Sequence, residues 1–198
     1  MSSRRVDALL DAAEAEFANQ GIETGSLRKI MRQAGADAGA VHYHFGGREA
    51  LAVAVLDRIL VPLNARRLEL LHEAVESDET SLSQLVEALI RPDIETAHAL
   101  HAQSAGRARL IGAIYIRPSD FVAATVAAHF APVADAFRPH LEAALPHLSF
   151  DVIAWRIRWC VFGTVGALLN DESAPFEMPA NDLIHELALS LAGALAAA

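Results

Sequence analysis

The chain has one cysteine, Cys160, in 198 residues. That rules out an internal disulfide and suits the reducing cytoplasm. Strand signals are missing: there is no sustained period-2 alternation and no Asn-Gly or Asp-Gly hairpin turn. No apolar run is read as long enough to span a bilayer, so no membrane partner is expected, and no basic start with a short apolar core marks a secretory signal. A repeat of fixed period and a Gly/Ser linker are also lacking. So are a Glu-x-x-His pair set, a glycine loop after a strand and a serine elbow, which leaves few routes to an enzyme, and no cofactor is expected.

Hydrophobic residues make up 53% of the chain, enough for a sizeable core in one large domain or a small module fused to a larger one. The net charge of −9 is unevenly spread. Residues 1–48 hold six basic side chains (Arg4, Arg5, Arg28, Lys29, Arg32 and Arg48) against six acidic ones, while residues 49–198 hold ten against nineteen. The first quarter can approach a phosphate backbone; the acidic remainder cannot. A boundary near residue 48 follows, giving domains 1–48 and 49–198.

Helical spacing runs through nearly the whole chain. Val6, Leu9, Leu10, Ala13 and Phe17 form one stripe, stopped by Gly21. Leu27, Ile30, Met31 and Ala34 form a second, ending at Gly35. Asp37 is expected to cap a third helix over 38–45, and a long helix from about Gly47 to Ser77 is expected to bend at Pro62. Ser81-x-x-Gln84 resembles a capping box. Pro92 should kink or split the helix that follows, with further breaks at Gly106, Pro118, Pro132, Pro139 and Pro146. Ser149 should cap an apolar helix reaching Leu169, and Asn181 or Asp182 should open the last helix.

The densest chemistry is His42-Tyr43-His44-Phe45. Residues two apart on a helix point about 200° apart, so His42 and His44 cannot share a metal ion unless the segment is a strand, and the glycine turn before it and Gly46-Gly47 after it favour a helix. Two short helices about a Gly35 turn would bury Leu27, Ile30, Met31, Val41 and Phe45, leaving the outer face of the second to enter a DNA major groove. His42 and Tyr43 at its flanks, Arg28 and Lys29 on the preceding helix and Arg48 at the start of the next are then placed for phosphate oxygens.

In order, the LLDAA…F start, Gly21, Ser26-Leu27-Arg28 with Ile30, Ala34-Gly35, Gly39-Ala40-Val41, Tyr43-His44-Phe45 and Gly47-Arg48-Glu49-Ala50-Leu51 resemble the N-terminal domain of the TetR family of bacterial transcriptional regulators. The resemblance covers residues 9–56. It implies an all-α fold: a three-helix helix-turn-helix domain joined through a long helix to a C-terminal bundle for ligand binding and dimerisation. It also implies a DNA contact set of Ser26, Arg28, Lys29, His42, Tyr43 and Arg48, with Ala38, Gly39 and Ala40 over the groove floor and His44 packed against the first helix. Many relatives carry Lys or Gln where this chain has Ala38, and Gly25 stands where a threonine is common. Specificity is then expected from Arg28, Lys29 and His42, from thymine methyl contacts with Ala40, or from DNA shape.

In the acidic body, Trp155, Trp159, Phe162, Gly166 and Leu169 form one helical seam, flanked by Phe150, Ile153, Ile157, Cys160, Val161 and Leu168. A helix apolar on two sides is buried on two sides, one against its own domain and one against a partner. Gly163 and Gly166 would allow close helix approach. The last helix repeats the pattern with Ile184, Leu187, Leu191 and Leu195. The resemblance implies that these two helices pair two subunits. Val161, Thr164, Leu168 and the four residues of the last helix are the expected interface, and a twofold pair of reading heads implies a palindromic operator.

Polar groups among the middle helices, His98, His101, Arg109, Tyr115 and Arg158, can orient a small effector, with Phe121, Trp155, Trp159 and Phe162 beside them. Aliphatic surroundings point to an apolar effector. Val61-Pro62-Leu63-Asn64 is similar to family members that respond to fatty-acyl compounds. The leading expectation is a ligand-released repressor acting as a homodimer on duplex DNA. Two alternatives stand beside it: a helical metal enzyme using His98 and His101, and a dimeric sensor or scaffold with weak DNA affinity.

Overall fold

A computed structural model describes residues 3–76, 80–101, 105–116, 118–170 and 178–197. Every regular element among them is helical, as the sequence led one to expect. The head comprises α1 (Ser3–Gln20), α2 (Leu27–Gln33) and α3 (Ala40–Phe45). Gly21 ends α1 at φ +87°, its N–H donating to the Phe17 carbonyl at 2.8 Å. The third helix starts later than expected: Asp37 accepts from the Ala40 N–H through its backbone carbonyl, and Gly39 is the cap, with no side-chain bond. Gly46 closes α3 at φ +86°, a left-handed conformation that side chains with a Cβ resist.

The long helix α4 (Arg48–Val75) packs on α1 and α3 along its first part and on α5 (Leu82–His101) and α7 (Asp120–Ala144) further on. It runs without a break through Pro62. Pro92 also lies inside a continuous α5, which is not split there, and Pro132 and Pro139 lie inside α7, so the breaks expected at the latter two do not occur. An interior proline removes one i→i−4 hydrogen bond and crowds the preceding turn, and packing on both sides can outweigh that. At Pro62 the lost bond is replaced: the freed Arg58 carbonyl accepts from Arg107 Nη2 at 3.1 Å. Gly106 likewise sits inside α6 (Ala105–Ile116) rather than ending it. The capping box at α5 is present, with Ser81 N–H donating to Gln84 Oε1 at 2.8 Å and Gln84 N–H to Ser81 Oγ at 3.3 Å.

The apolar rod foreseen after Ser149 is three pieces in one line: α8 (Phe150–Arg156), a π-helical stretch (Ile157–Phe162) and α9 (Gly163–Asn170). Ser149 holds the cap position without a side-chain bond. Over Phe150–Leu169 the mean hydropathy is 1.4, long and apolar enough to cross a bilayer by composition. This corrects the reading that no such run exists. Arg156 and Arg158 interrupt the run to the eye without lowering its mean enough to disqualify it. The rod packs closely on α6: a Cβ at Gly166 would lie 2.9 Å from Ile116 Cγ1 and 3.2 Å from the Gly112 carbonyl. Gly163 has no such neighbour nearer than the Arg158 carbonyl at 3.9 Å. The last helix, α10 (Ala180–Ala196), starts at Pro179 and packs chiefly on α5.

Candidate nucleic-acid interface and body cavity

The apolar stripes of α2 and α3 do what their spacing suggests: Ile30 and Val41 are fully buried, and Leu27, Met31 and Phe45 pack against the same core. What remains outside is α3's polar face. Tyr43 is 74% exposed, His42 and Arg28 are exposed, and Ala38 and Gly39 lie open in the turn. His44 is half-buried, edge-on to Tyr43 with ring centroids 4.9 Å apart. Arg5, read from sequence only as charge, lines one groove with Leu9, Gly39, Ala40, Tyr43 and His44.

Three of the expected DNA contacts are engaged within the head. Ser26 caps α2, its hydroxyl accepting from the Lys29 N–H at 3.3 Å and its own N–H donating to Glu16 Oε1 at 3.0 Å. Lys29 Nζ lies 2.5 Å from Glu16 Oε2. The Lys29 ammonium and the Ser26 N–H hold the buried Glu16 carboxyl below the usual carboxylate range. Arg48 turns inward, donating to the carbonyls of Ile22 at 3.3 Å and Gly25 at 2.7 Å, because the α1–α2 loop leaves those acceptors within its reach. Gly25 is there for space: a Cβ would meet Phe17 Cδ1 at 2.8 Å.

The body holds a cavity of about 230 Å³ between α5, α6, α7 and the α8–π rod. Tyr115, Arg158 and Phe162 line it as expected; Phe121, Arg109, Trp155, Trp159 and His98 do not. Arg109 Nη2 reaches Asn19 Oδ1 on α1 at 3.4 Å, and His98 Nε2 lies 2.9 Å from the Met178 carbonyl. The side chain of His101 falls outside the described residues, so the proposed His98–His101 pair is seen only in part. Phe130 and Phe137 share the cavity wall.

Behind that wall lies a network of fully buried charge. Arg67 on α4 pairs with Asp93 on α5 and donates to the Leu89 carbonyl at 2.8 Å, Asn64 Oδ1 at 2.7 Å and the Tyr115 hydroxyl at 3.1 Å. The Tyr115 hydroxyl donates to Asp93 Oδ1 at 3.0 Å. Arg67 also faces the rings of Phe130 and Phe162, 4.9 and 5.7 Å from their centroids. Burial pulls the Arg67 guanidinium down, yet Asp93 and Tyr115 beside it hold it above its ordinary value. Burial pushes the Asp93 carboxyl up against the pull of Arg67, and pushes the Tyr115 hydroxyl up so that it stays protonated. Sequence reasoning missed this network. The signal was a charge inside each apolar stripe: Arg67 between Leu63 and Leu71, Asp93 between Leu89 and Ala97.

The expected interface residues divide by burial. Val161, Ile184, Leu191 and Leu195 are buried in their own core, where the inner faces of the rod and α10 meet the remaining helices. Leu168 and Leu187 are half-buried and Thr164 is exposed. The two tryptophans, assigned to the pocket from sequence, stand outside: Trp155 is 60% exposed and Trp159 57%, with Val152 and Leu189 also exposed.

A short helix-turn-helix head on a long helix that enters an all-helical body with its own cavity is the architecture of helix-turn-helix transcriptional regulators. Residues 9–55 match the bacterial regulatory proteins of the tetR family, and residues 87–195 match the tetracyclin repressor-like C-terminal domain. The chain belongs to the TetR family. It is 30% identical over 101 residues to the HTH-type transcriptional repressor KstR2 of Rhodococcus jostii (strain RHA1), which covers 51% of this chain and 47% of that protein. It is 36% identical over 50 residues to the A-factor receptor protein of Streptomyces griseus, covering 25% of this chain and 18% of that protein. The chain thus aligns with less than half the length of either curated relative. In fold it resembles the fatty acid degradation regulator FadR from Bacillus halodurans, with a TM-score of 0.68 at 14% identity over 98% of this chain and 97% of that one. It also resembles FadR from Bacillus subtilis in complex with stearoyl-CoA, at 0.65 and 15% over 96% and 97%.

Proposed function

We propose that the protein is a transcriptional repressor that binds a palindromic DNA operator as a homodimer in the cytoplasm and is released by a small apolar effector. The observation that carries this reading is the exposed outer face of α3, with Tyr43 and His42 beside Arg28 and no side chain larger than a methyl over Ala38, Gly39 and Ala40. In this reading Arg28, His42 and Tyr43 touch the duplex. Ser26, Lys29 and Arg48 hold the head in shape, and residues 1–48 form the DNA-binding unit while 49–198 sense and pair. Two-subunit pairing uses the open apolar side of the rod and α10, through Trp155, Trp159, Val152 and Leu189, with Thr164, Leu168 and Leu187 at its edge. The effector lies in the cavity beside Tyr115 and Phe162. The fatty-acyl expectation gains support from the FadR likeness, and the repressor reading from the likeness to KstR2.

Selection of bound duplexes from a random pool tests the reading. The expected product is two inverted half-sites about one helical turn apart, bound with affinity that falls steeply with salt. Failure to enrich any duplex overturns it.

A further inference from the structure

We infer, building on the effector reading above, that the cavity takes a short amphipathic carboxylate: an apolar tail inside, with its anionic head on Arg158. Four observations converge. Among the described residues that line the cavity, only Tyr115 and Arg158 carry polar side-chain groups. The Tyr115 hydroxyl is already committed to Asp93 and Arg67, and the rings of Phe130 and Phe162 face the Arg67 guanidinium, so the interior wall offers a ligand no free polar partner. Among the described residues Arg158 is the one charged side chain on the lining; it is exposed, and no carboxylate there pairs with it. It sits in the π-helical stretch, which lies between Ala154 and Phe162 on the same wall. Single π turns inside helices frequently mark functional sites.

Size sets the tail. The space is about 230 Å³. That is below the range of about 300–1,000 Å³ usual for drug-sized ligands. A short tail suits such a space better than an octadecanoyl chain. Guanidinium suits the head because it holds a carboxylate through two parallel N–H donors.

Thermal denaturation of the full chain with octanoate, octan-1-ol and stearate decides the matter. Octanoate should raise Tm in a dose-dependent way. Arg158→Gln should weaken octanoate about tenfold, the loss expected for one charged hydrogen-bonded partner, while octan-1-ol binds both proteins equally and more weakly. Equal octanoate affinity in the two proteins, octan-1-ol binding as tightly as octanoate, stearate binding more tightly, or no Tm response at all each overturns the inference. Duplex selection is run on the same preparation. An enriched duplex without octanoate binding removes this inference and leaves the regulator reading intact. Octanoate binding through Arg158 with no enriched duplex does the reverse.

Discussion

Replacing Asp93 with asparagine keeps the side chain's shape and removes its charge. Arg67 would keep its bonds to the Leu89 carbonyl, Asn64 and Tyr115, but its counter-charge at zero solvent exposure would be gone. Removing one partner of a buried ion pair costs about 3–5 kcal/mol, because the surviving charge stays desolvated. For a chain of this size each kcal/mol shifts Tm by about 2–4 °C, so Asp93→Asn should lower Tm by roughly 6–20 °C. Urea unfolding followed by circular dichroism reads the free energy directly. Glu73→Gln supplies the contrast: it breaks the exposed Arg66–Glu73 pair, 3.0 Å apart on the surface of α4, and should leave Tm nearly unchanged. The double variant Arg67→Met/Asp93→Leu should recover most of the loss, since apolar replacement of a buried pair is often neutral. If Asp93→Asn costs less than about 1 kcal/mol, the same as a surface pair, the charge is not sealed and the account of the cavity's back wall is wrong.

Gly25→Thr, which restores the residue common in relatives, should destabilise the head by about 1–3 kcal/mol through collision with Phe17, read as a lower urea midpoint. Glu16 titrates below an ordinary carboxyl. Its charge therefore supports the fold above the unfolded value and that support is lost as pH falls through the folded one. Glu16→Gln should lower Tm at neutral pH and flatten the Tm–pH curve between about pH 5 and 3. Tyr43→Phe should weaken duplex binding and leave Tm unchanged, and Arg28→Ala should reduce the salt slope by about one unit. Arg48→Ala should instead lower Tm, its guanidinium being the tie between α4 and the carbonyls of Ile22 and Gly25; an unchanged Tm would return Arg48 to the phosphate clamp.

The head was legible because its instructions are local. Ser26 as a cap, Gly35 and Gly46 as turns and the stripe of Leu27, Ile30 and Val41 each act within a few residues, and their order matched a family pattern. The body was less so. Pro132 and Pro139 look like breaks in one dimension, and Pro92 like a split, yet tertiary packing carries the helices through them. Trp155 and Trp159 read as pocket because apolarity alone does not tell a cavity wall from an outer face. The Arg67–Asp93 pair spans 26 residues and the Glu16–Ser26 bond ten, and no periodicity reports which charge meets which.

Arg107 does two jobs at one place. From α6 it fills the vacancy that Pro62 opens in α4, and its Nε lies 3.3 Å from Glu14 on α1. Three helices are thereby stitched where the longest of them is least able to hold itself. Tyr115, eight residues on, puts the far end of α6 in the cavity wall. Sliding α6 would tug the head and the weak point of α4 together, or else tear the stitch.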